Sequence, residues 1–239
     1  TDSENLQRWA HDLEGRSTVE VLQWAVEQYA PRLTFATGFG PEGCVIIDLI
    51  GRHRLAIDVF TLDTGLLFPE TYELWRHLEE WSGVQIRAVR PSLSVGDQAT
   101  VHGDRLWEKR PEQCCEMRKV VPLKAELKNV DAWISAIRRE QTPQRATALV
   151  AEWDSKFDIV KINPLVRWTK KEIWDYLRKH EVPYNPLHDQ GYPSIGCSPC
   201  TSPIQPGEDD RAGRWRGTDK TECGLHGPVV PVEPVSERA

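Results

Sequence analysis

Residues 32–50 read RLTFATGFGPEGCVIIDLI. An apolar, β-branched run at 32–37 gives way to a glycine-rich turn, GFGPEG, and then to a second apolar run at 44–50. The first run fits a strand and the second a buried helix. A strand that turns through glycines into a helix brings backbone N–H groups and a helix N-terminus towards an anion. The turn is neither a P-loop nor G-x-G-x-x-G, so by itself it names no ligand.

The same alternation continues along the chain. AIDVFTL at 56–62 reads as a strand and PETYELWRHLEEW at 69–81 as a helix with proline in its first turn. VQIRAV at 84–89 is a strand, CCEMRKVVPLKAELK at 114–128 a helix, and DAWISAI at 131–137 and DIVKIN at 158–163 are strands. TKKEIWDYLRKH at 169–180 is a helix capped by its threonine, with an acidic residue three positions on. Strands separated by helices predict an α/β fold with a mainly parallel central sheet flanked by helices. Ligands of such sheets bind outside the carboxyl ends of the strands. The polar stretch LDTGLLFPET at 62–71 lies at one of those ends.

The chain has 239 residues, enough for one large domain with a real core. No apolar run approaches the roughly 18 residues of a spanning helix. The first residues, TDSENLQRWAHDLEG, lack the pattern of a signal peptide, which places the protein in the cytoplasm, where structural disulfides are rare. A net charge of −6 argues against a general nucleic-acid binder. Composition shifts near residue 183, and from there proline, glycine and charge dominate. Trp215, Tyr184, Tyr192, three cysteines and an arginine cluster favour a segment folded over a site, with a loose end at 227–239. The chain therefore divides into one α/β domain, 1–200, and an arginine-rich C-terminal segment, 201–239.

Six cysteines are present. Cys44 sits in an apolar run and reads as a core residue. Cys197 and Cys200 form C-x-x-C in a loop rich in proline and glycine, not at a helix N-terminus after a strand, so they favour a metal over a redox pair. Adjacent Cys114 and Cys115 supply two further thiols. Four thiolates suit zinc or an iron–sulfur cluster. Neighbouring cysteines point in different directions, which suits the separated irons of a cubane better than one ion. Cys223, in DKTECGLHGP, stands apart, near Lys220, Glu222 and His226. Nearby cations lower a thiol pKa and make it a nucleophile. Basic residues recur at Arg118 and Lys119, at Arg138, Arg139 and Arg145, and at Arg211, Arg214 and Arg216. Arginine grips phosphate or sulfate bidentately.

These motifs resemble the assimilatory adenylyl-sulfate (APS) reductases, relatives of the PAPS reductases. The resemblance spans about residues 17 to 228. It is carried by TLDTGLLFPETY (61–72), CCEMRKVVPL (114–123), RREQTPQRA (138–146), KINPLVRWTKKEIWDYL (161–177), YNPLHDQGYPSIGCSPCT (184–201), RAGRWRG (211–217) and KTECGLH (220–226). It implies an ATP-pyrophosphatase-like (adenine nucleotide alpha hydrolase-like) fold. It implies that Cys223 attacks the sulfur of APS, that AMP leaves, and that reduced thioredoxin (or glutaredoxin) releases sulfite from an S-sulfocysteine. Cys114, Cys115, Cys197 and Cys200 are implied to bind one four-iron four-sulfur (4Fe-4S) cluster. By the same match Lys119, Arg145, Arg211 and Arg214 hold the phosphosulfate. Thr37, Gly38, Phe39, Gly40, Glu42, Leu62 and Asp63 line the adenosine site, and Ala136 and His226 complete the substrate-binding set. No nucleic acid and no membrane are expected as partners, and a homo-oligomer is left open.

Two departures from the family pattern stand out. The loop often reads S-x-S-G-A-E-D, whereas Thr37 and Phe39 replace the serines here and Gly43 replaces the aspartate. Ala136 takes the glycine position of a W-x-x-G-x-R strand motif. Hydroxyl contacts are lost at 39, so backbone N–H groups carry more of the binding. A PAPS or dual APS/PAPS reductase and a non-catalytic iron–sulfur or zinc redox sensor are the competing readings.

Overall fold

In a computed structural model, which describes residues 3–220 and 222–225, the opening stretch forms strand β1 (Leu33–Thr37) followed directly by a helix (Pro41–His53). In chain order the elements are α1 (Ser3–Glu14), α2 (Thr18–Tyr29), β1, α3 (Pro41–His53), β2 (Asp58–Leu62), α4 (Pro69–Ser82) and β3 (Ile86–Val89). Then come α5 (Val95–His102), α6 (Leu106–Lys109), α7 (Pro111–Cys115), α8 (Val121–Leu127), β4 (Ala132–Ile134), β5 (Ala151–Asp154), β6 (Ile159–Ile162) and α9 (Lys170–Lys179). The described strands make one sheet of order β3-β2-β1-β4-β6-β5. All pairs are parallel except β5 with β6. The mainly parallel α/β architecture expected from the alternation is the one found.

Chain order runs outward from β1 in both directions, through β2 to β3 and through β4 to β6. The connections on either side of β1 therefore diverge, and a crevice opens at the carboxyl ends of β1 and β4. One face of the sheet is buried under α2, α3, α4 and α9, with Phe35, Ile46, Ile47 and Leu78 fully enclosed. The other face is covered by α8, whose Leu123 and Leu127 pack with Phe60 and Trp133. Each such apolar side chain contributes about 1.5–3 kcal/mol.

Three expectations are adjusted. The stretch 114–128 is not one helix: a π-helical turn, Glu116–Val120, separates α7 from α8. Pro122 removes one α-helical rung, and just before it the Val121 N–H donates to the Glu116 carbonyl. The strand expected at 131–137 is shorter, Ala132–Ile134; just beyond it the Ser135 hydroxyl donates to Asn163 Oδ1 (2.5 Å). Antiparallel β5 was not expected, nor were α1, α2 and α5. Yet Ser17 and Glu20 form a reciprocal capping box at the start of α2, as Thr169 and Glu172 do for α9. No helix among the described residues is long and apolar enough to cross a membrane.

One buried carboxylate ties three helices of the larger face together. Asp48 of α3 accepts from Arg52 Nε (2.8 Å), from Trp81 Nε1 of α4 (3.1 Å) and from the Tyr176 hydroxyl of α9 (2.7 Å). Burial pushes its pKa up, but these donors outweigh it and hold the carboxyl below its ordinary value. A carboxyl whose pKa is depressed on folding stabilises the fold above its unfolded pKa, and that stability is lost as pH falls. Asp48→Ala removes the shared acceptor of Arg52, Trp81 and Tyr176, donors that are at least partly exposed, and is expected to cost about 1–3 kcal/mol at neutral pH by urea denaturation. The gap between variant and wild type should narrow below about pH 4.

Candidate active site

The carboxyl ends of β1, β2 and β4 place most of the expected substrate residues on one edge. After β1, Thr37 Oγ1 accepts the N–H of Phe39 at 3.1 Å. Phe39 takes a left-handed conformation (φ 58°) and turns its ring into the core, stacked on Trp75 at 5.6 Å. Its side chain therefore does not line the crevice and its N–H is already used, which limits the expectation that this loop binds through its backbone. A Cβ on Gly43 would stand 2.7 Å from Thr37 Oγ1. Gly40 is the N-cap of α3 and brings no side-chain cap, so the first turn of the helix faces the crevice open. Glu42, in that turn, accepts from Arg138 Nε (2.7 Å) and Gln141 Nε2 (3.0 Å).

After β2, partly buried Leu62 packs against the α8-side core. Asp63 accepts from the Tyr72 hydroxyl (2.7 Å), the Gly65 N–H (3.1 Å) and Arg90 Nε (2.9 Å). Burial raises its pKa, but these bonds keep the carboxyl below its usual value. Burial and the Asp63 bond push Tyr72 up to about 12. After β4, Ala136 is partly buried against the core. Gln141, which sequence reasoning passed over, accepts from Arg145 Nη1 at 2.6 Å while donating to Glu42.

The C-terminal segment lies over this edge. A Leu67–Cys197 bridge fixes the chain leading into it, a Thr201–Arg214 bridge folds it back on itself, and Lys220 pairs with Glu112. Arg214 donates to Ser194 Oγ (3.2 Å), and its guanidinium lies 4.4 Å from the centre of the Trp215 ring. Its Nε is buried with no hydrogen-bond partner. Gly196 passes so close that a Cβ there would come within 2.7 Å of Arg214 Cζ. Glu222 joins Arg145 Nη2 (3.3 Å) to Arg211 Nη2 (3.1 Å). Lys156 donates to the Gly224 carbonyl, and Leu225 packs against the cluster that also carries Ala36, Leu62 and Val89. Burial pushes Arg145 and Arg214 below the usual guanidinium range; Glu222 counters this at Arg145, and Cys223 counters it at both. Burial also lowers Lys119, but the thiols of Cys197, Cys223 and Cys115 overcome it and leave Lys119 above its ordinary value. Among the described residues no carboxylate pairs with Lys119 or Arg214. His226 lies outside the described residues.

Beside this cluster, Cys114, Cys115, Cys197 and Cys200 line one small cavity of about 10 Å³ with Arg118, Lys119, Trp107 and Trp215. All six cysteines are free thiols. Burial pushes Cys114 up, Cys115 to about 11 and Cys200 to about 12, so these bare thiols hold their protons at neutral pH. The indole N–H groups of Trp107 and Trp215 are buried without partners. Thr64, which sequence reasoning did not single out, brings its hydroxyl to 3.3 Å from Cys197 Sγ. Arg118 turns away from the crevice and fixes the cavity wall, donating to the Thr64 carbonyl (2.6 Å) and Gln98 Oε1 (2.9 Å). Four thiols with unspent N–H donors around them are the donor set of a thiolate-ligated metal group, although among the described residues no three His, Cys, Asp or Glu side chains stand together as a group that would hold a metal ion.

Known proteins are similar to this chain. The adenosine 5'-phosphosulfate reductase of Halalkalibacterium halodurans is 47% identical over 223 residues, 93% of this chain and 96% of that protein. The crystal structure of a phosphoadenylyl-sulfate (PAPS) reductase from Candida auris, a phosphate complex, matches with a TM-score of 0.77 and 32% identity over 85% of this chain and 98% of that one. An FMN adenylyltransferase from Candida glabrata shares the fold alone, with a TM-score of 0.53 and 13% identity over 91% of this chain and 83% of that one. The family model of the phosphoadenosine phosphosulfate reductase domain matches residues 32–203, which is most of the sheet and all four clustered cysteines. The crevice, the arginines and the cysteine cavity are thus features of a chain that belongs to the phosphoadenosine phosphosulfate reductase family.

Proposed function

We propose that this protein reduces adenosine 5'-phosphosulfate to sulfite and AMP, as a step of sulfate assimilation. The observation that carries the reading is the meeting of Arg145, Arg211, Arg214 and Lys119 beside Cys223 at the carboxyl edge. The thiolate of Cys223 attacks the sulfate sulfur, an S–S bond forms, the S–O bond to the phosphate breaks, and AMP leaves. Phosphosulfate brings two negative charges, so a thiolate approaches only where fixed cations neutralise them. The same cations stabilise charge developing on the leaving phosphate. A dithiol donor of the thioredoxin or glutaredoxin type then attacks Cys223 Sγ, sulfite departs, and the second donor thiol closes a disulfide. Both electrons come from that dithiol.

Cys114, Cys115, Cys197 and Cys200 would hold a 4Fe-4S cluster in the cavity that Trp107, Trp215 and the Thr64 hydroxyl border. It would supply a fixed charge and a rigid anchor next to Lys119 and no electrons to the substrate. The adenosine half lies between the open first turn of α3 and the Leu62–Asp63 turn. Three arginines near the ribose edge bear on the choice between APS and PAPS. Arg90 is paired with Asp63, Arg138 with Glu42 and Glu140, and Arg139 with Glu14. A 3'-phosphate would have to break one of these pairs, which favours APS.

Incubation of the purified protein with sulfur-labelled APS and no reductant should place label on Cys223, read by mass spectrometry. Cys223→Ser should remove the label and lower sulfite formation by at least about 10³-fold. Label persisting in that variant overturns the mechanism, and no label from APS or PAPS favours a redox sensor. Replacing any of the four clustered cysteines with serine should abolish the brown visible absorption of an iron–sulfur protein.

Gly196→Ala tests the role of Arg214. The added methyl group displaces the guanidinium, so kcat/KM for APS should fall about 10- to 100-fold, the range for a lost hydrogen bond to a charged group. Colour per protein should stay that of wild type.

A further inference from the structure

Two of the three arginines expected to grip the substrate, Arg145 and Arg211, already hold an anion, and it belongs to the tail that carries the nucleophile. Glu222 Oε1 and Oε2 lie 3.3 and 3.5 Å from Arg145 Nη2, and Oε2 lies 3.1 Å from Arg211 Nη2. The side chains of Arg145 and Glu222 are only 12% and 22% exposed. Charge-assisted N–H···O contacts at their strongest are about 2.7–2.9 Å, so the carboxylate spans both guanidiniums and grips neither tightly. Gln141 keeps Arg145 aimed by accepting from its other nitrogen, Nη1, at 2.6 Å, so Arg145 has a support that does not depend on which anion is present.

We propose that Glu222 is the resident counter-ion of Arg145 and Arg211, displaced when the phosphosulfate enters, and that it thereby makes the site selective against small free oxyanions. This inference rests on the function proposed above. A free sulfate must expel Glu222 using its contacts with the arginines alone. The nucleotide adds its adenosine contacts at the α3 and Leu62–Asp63 turns and so pays the cost of displacement from a larger set of interactions. Since Glu222 precedes Cys223 directly, its seat also determines where the thiol waits before substrate arrives. Glu222 is thus a positioning and specificity-determining residue, acting through the arginines and not on the reacting atoms.

The test uses the full-length protein with inorganic sulfate as the probe, by isothermal titration calorimetry, alongside APS kinetics. An internal competitor weakens apparent affinity by the fraction of time the site is vacant. Glu222→Gln, which keeps the shape and removes the charge, should bind sulfate about tenfold more tightly than wild type. Sulfate should also inhibit APS turnover at correspondingly lower concentration. KM for APS should change less than the sulfate affinity, and Glu222→Asp should restore the wild-type resistance to sulfate. Sulfate affinity in Glu222→Gln within twofold of wild type overturns the inference, whether or not APS is reduced. Tighter sulfate binding in a protein that leaves APS untouched upholds the counter-ion and removes only the proposed function.

Discussion

Mutual repulsion among four cations is the constraint around which this site is built. Lys119, Arg145, Arg211 and Arg214 come from three separate parts of the chain and meet at one partly buried edge. Two like charges a few ångström apart in such a place repel by a few kcal/mol, and burial alone pushes Lys119, Arg145 and Arg214 towards losing a proton. The surrounding side chains answer this. Glu222 lies between Arg145 and Arg211, Gln141 relays Arg145 to Glu42, Glu42 pairs with Arg138, and Arg214 lies over the Trp215 ring. The result is a chain of alternating partners running from the first turn of α3 to the residue beside Cys223. It holds the cations at a point where one more anion is welcome.

The sheet makes the convergence possible. Parallel strands all end on one side, and outward winding from β1 leaves the gap there unbridged. The C-terminal segment closes over the same edge through short bridges and mixed contacts: an ion pair between Lys220 and Glu112, a bond from Lys156 to Gly224, and the burial of Leu225. These contacts leave Cys223 partly buried beside the cations, and a dithiol donor has to reach it there in the second half of the proposed reaction.

Much of this was legible in the residues. The run at 32–50 announced its strand, loop and helix because apolar periodicity and glycine placement are local properties. The paired cysteines and the recurrent arginines announced a charged, thiol-rich site because so few of these residues are needed elsewhere. What stayed hidden depends on contacts distant in sequence. Asp48 reads as an ordinary helix carboxylate, and only packing brings Trp81 and Tyr176 to it. Thr64 lies 133 positions from Cys197, and nothing local marks its hydroxyl as a neighbour of that sulfur. Glu222 reads as a residue flanking a cysteine until the fold sets it between two guanidiniums. The strand β5 was missed because its four residues carry no clear alternation and gain their partner only from β6.

The close approach of Gly43 to Thr37 has a consequence for substitution in this loop. Threonine is β-branched and stiff about χ1, so its hydroxyl cannot swing away as a serine hydroxyl can. With threonine at 37, any side chain at 43 collides with that hydroxyl. Positions 37 and 43 are therefore coupled in this structure: a side chain larger than hydrogen at 43 requires Thr37 to move.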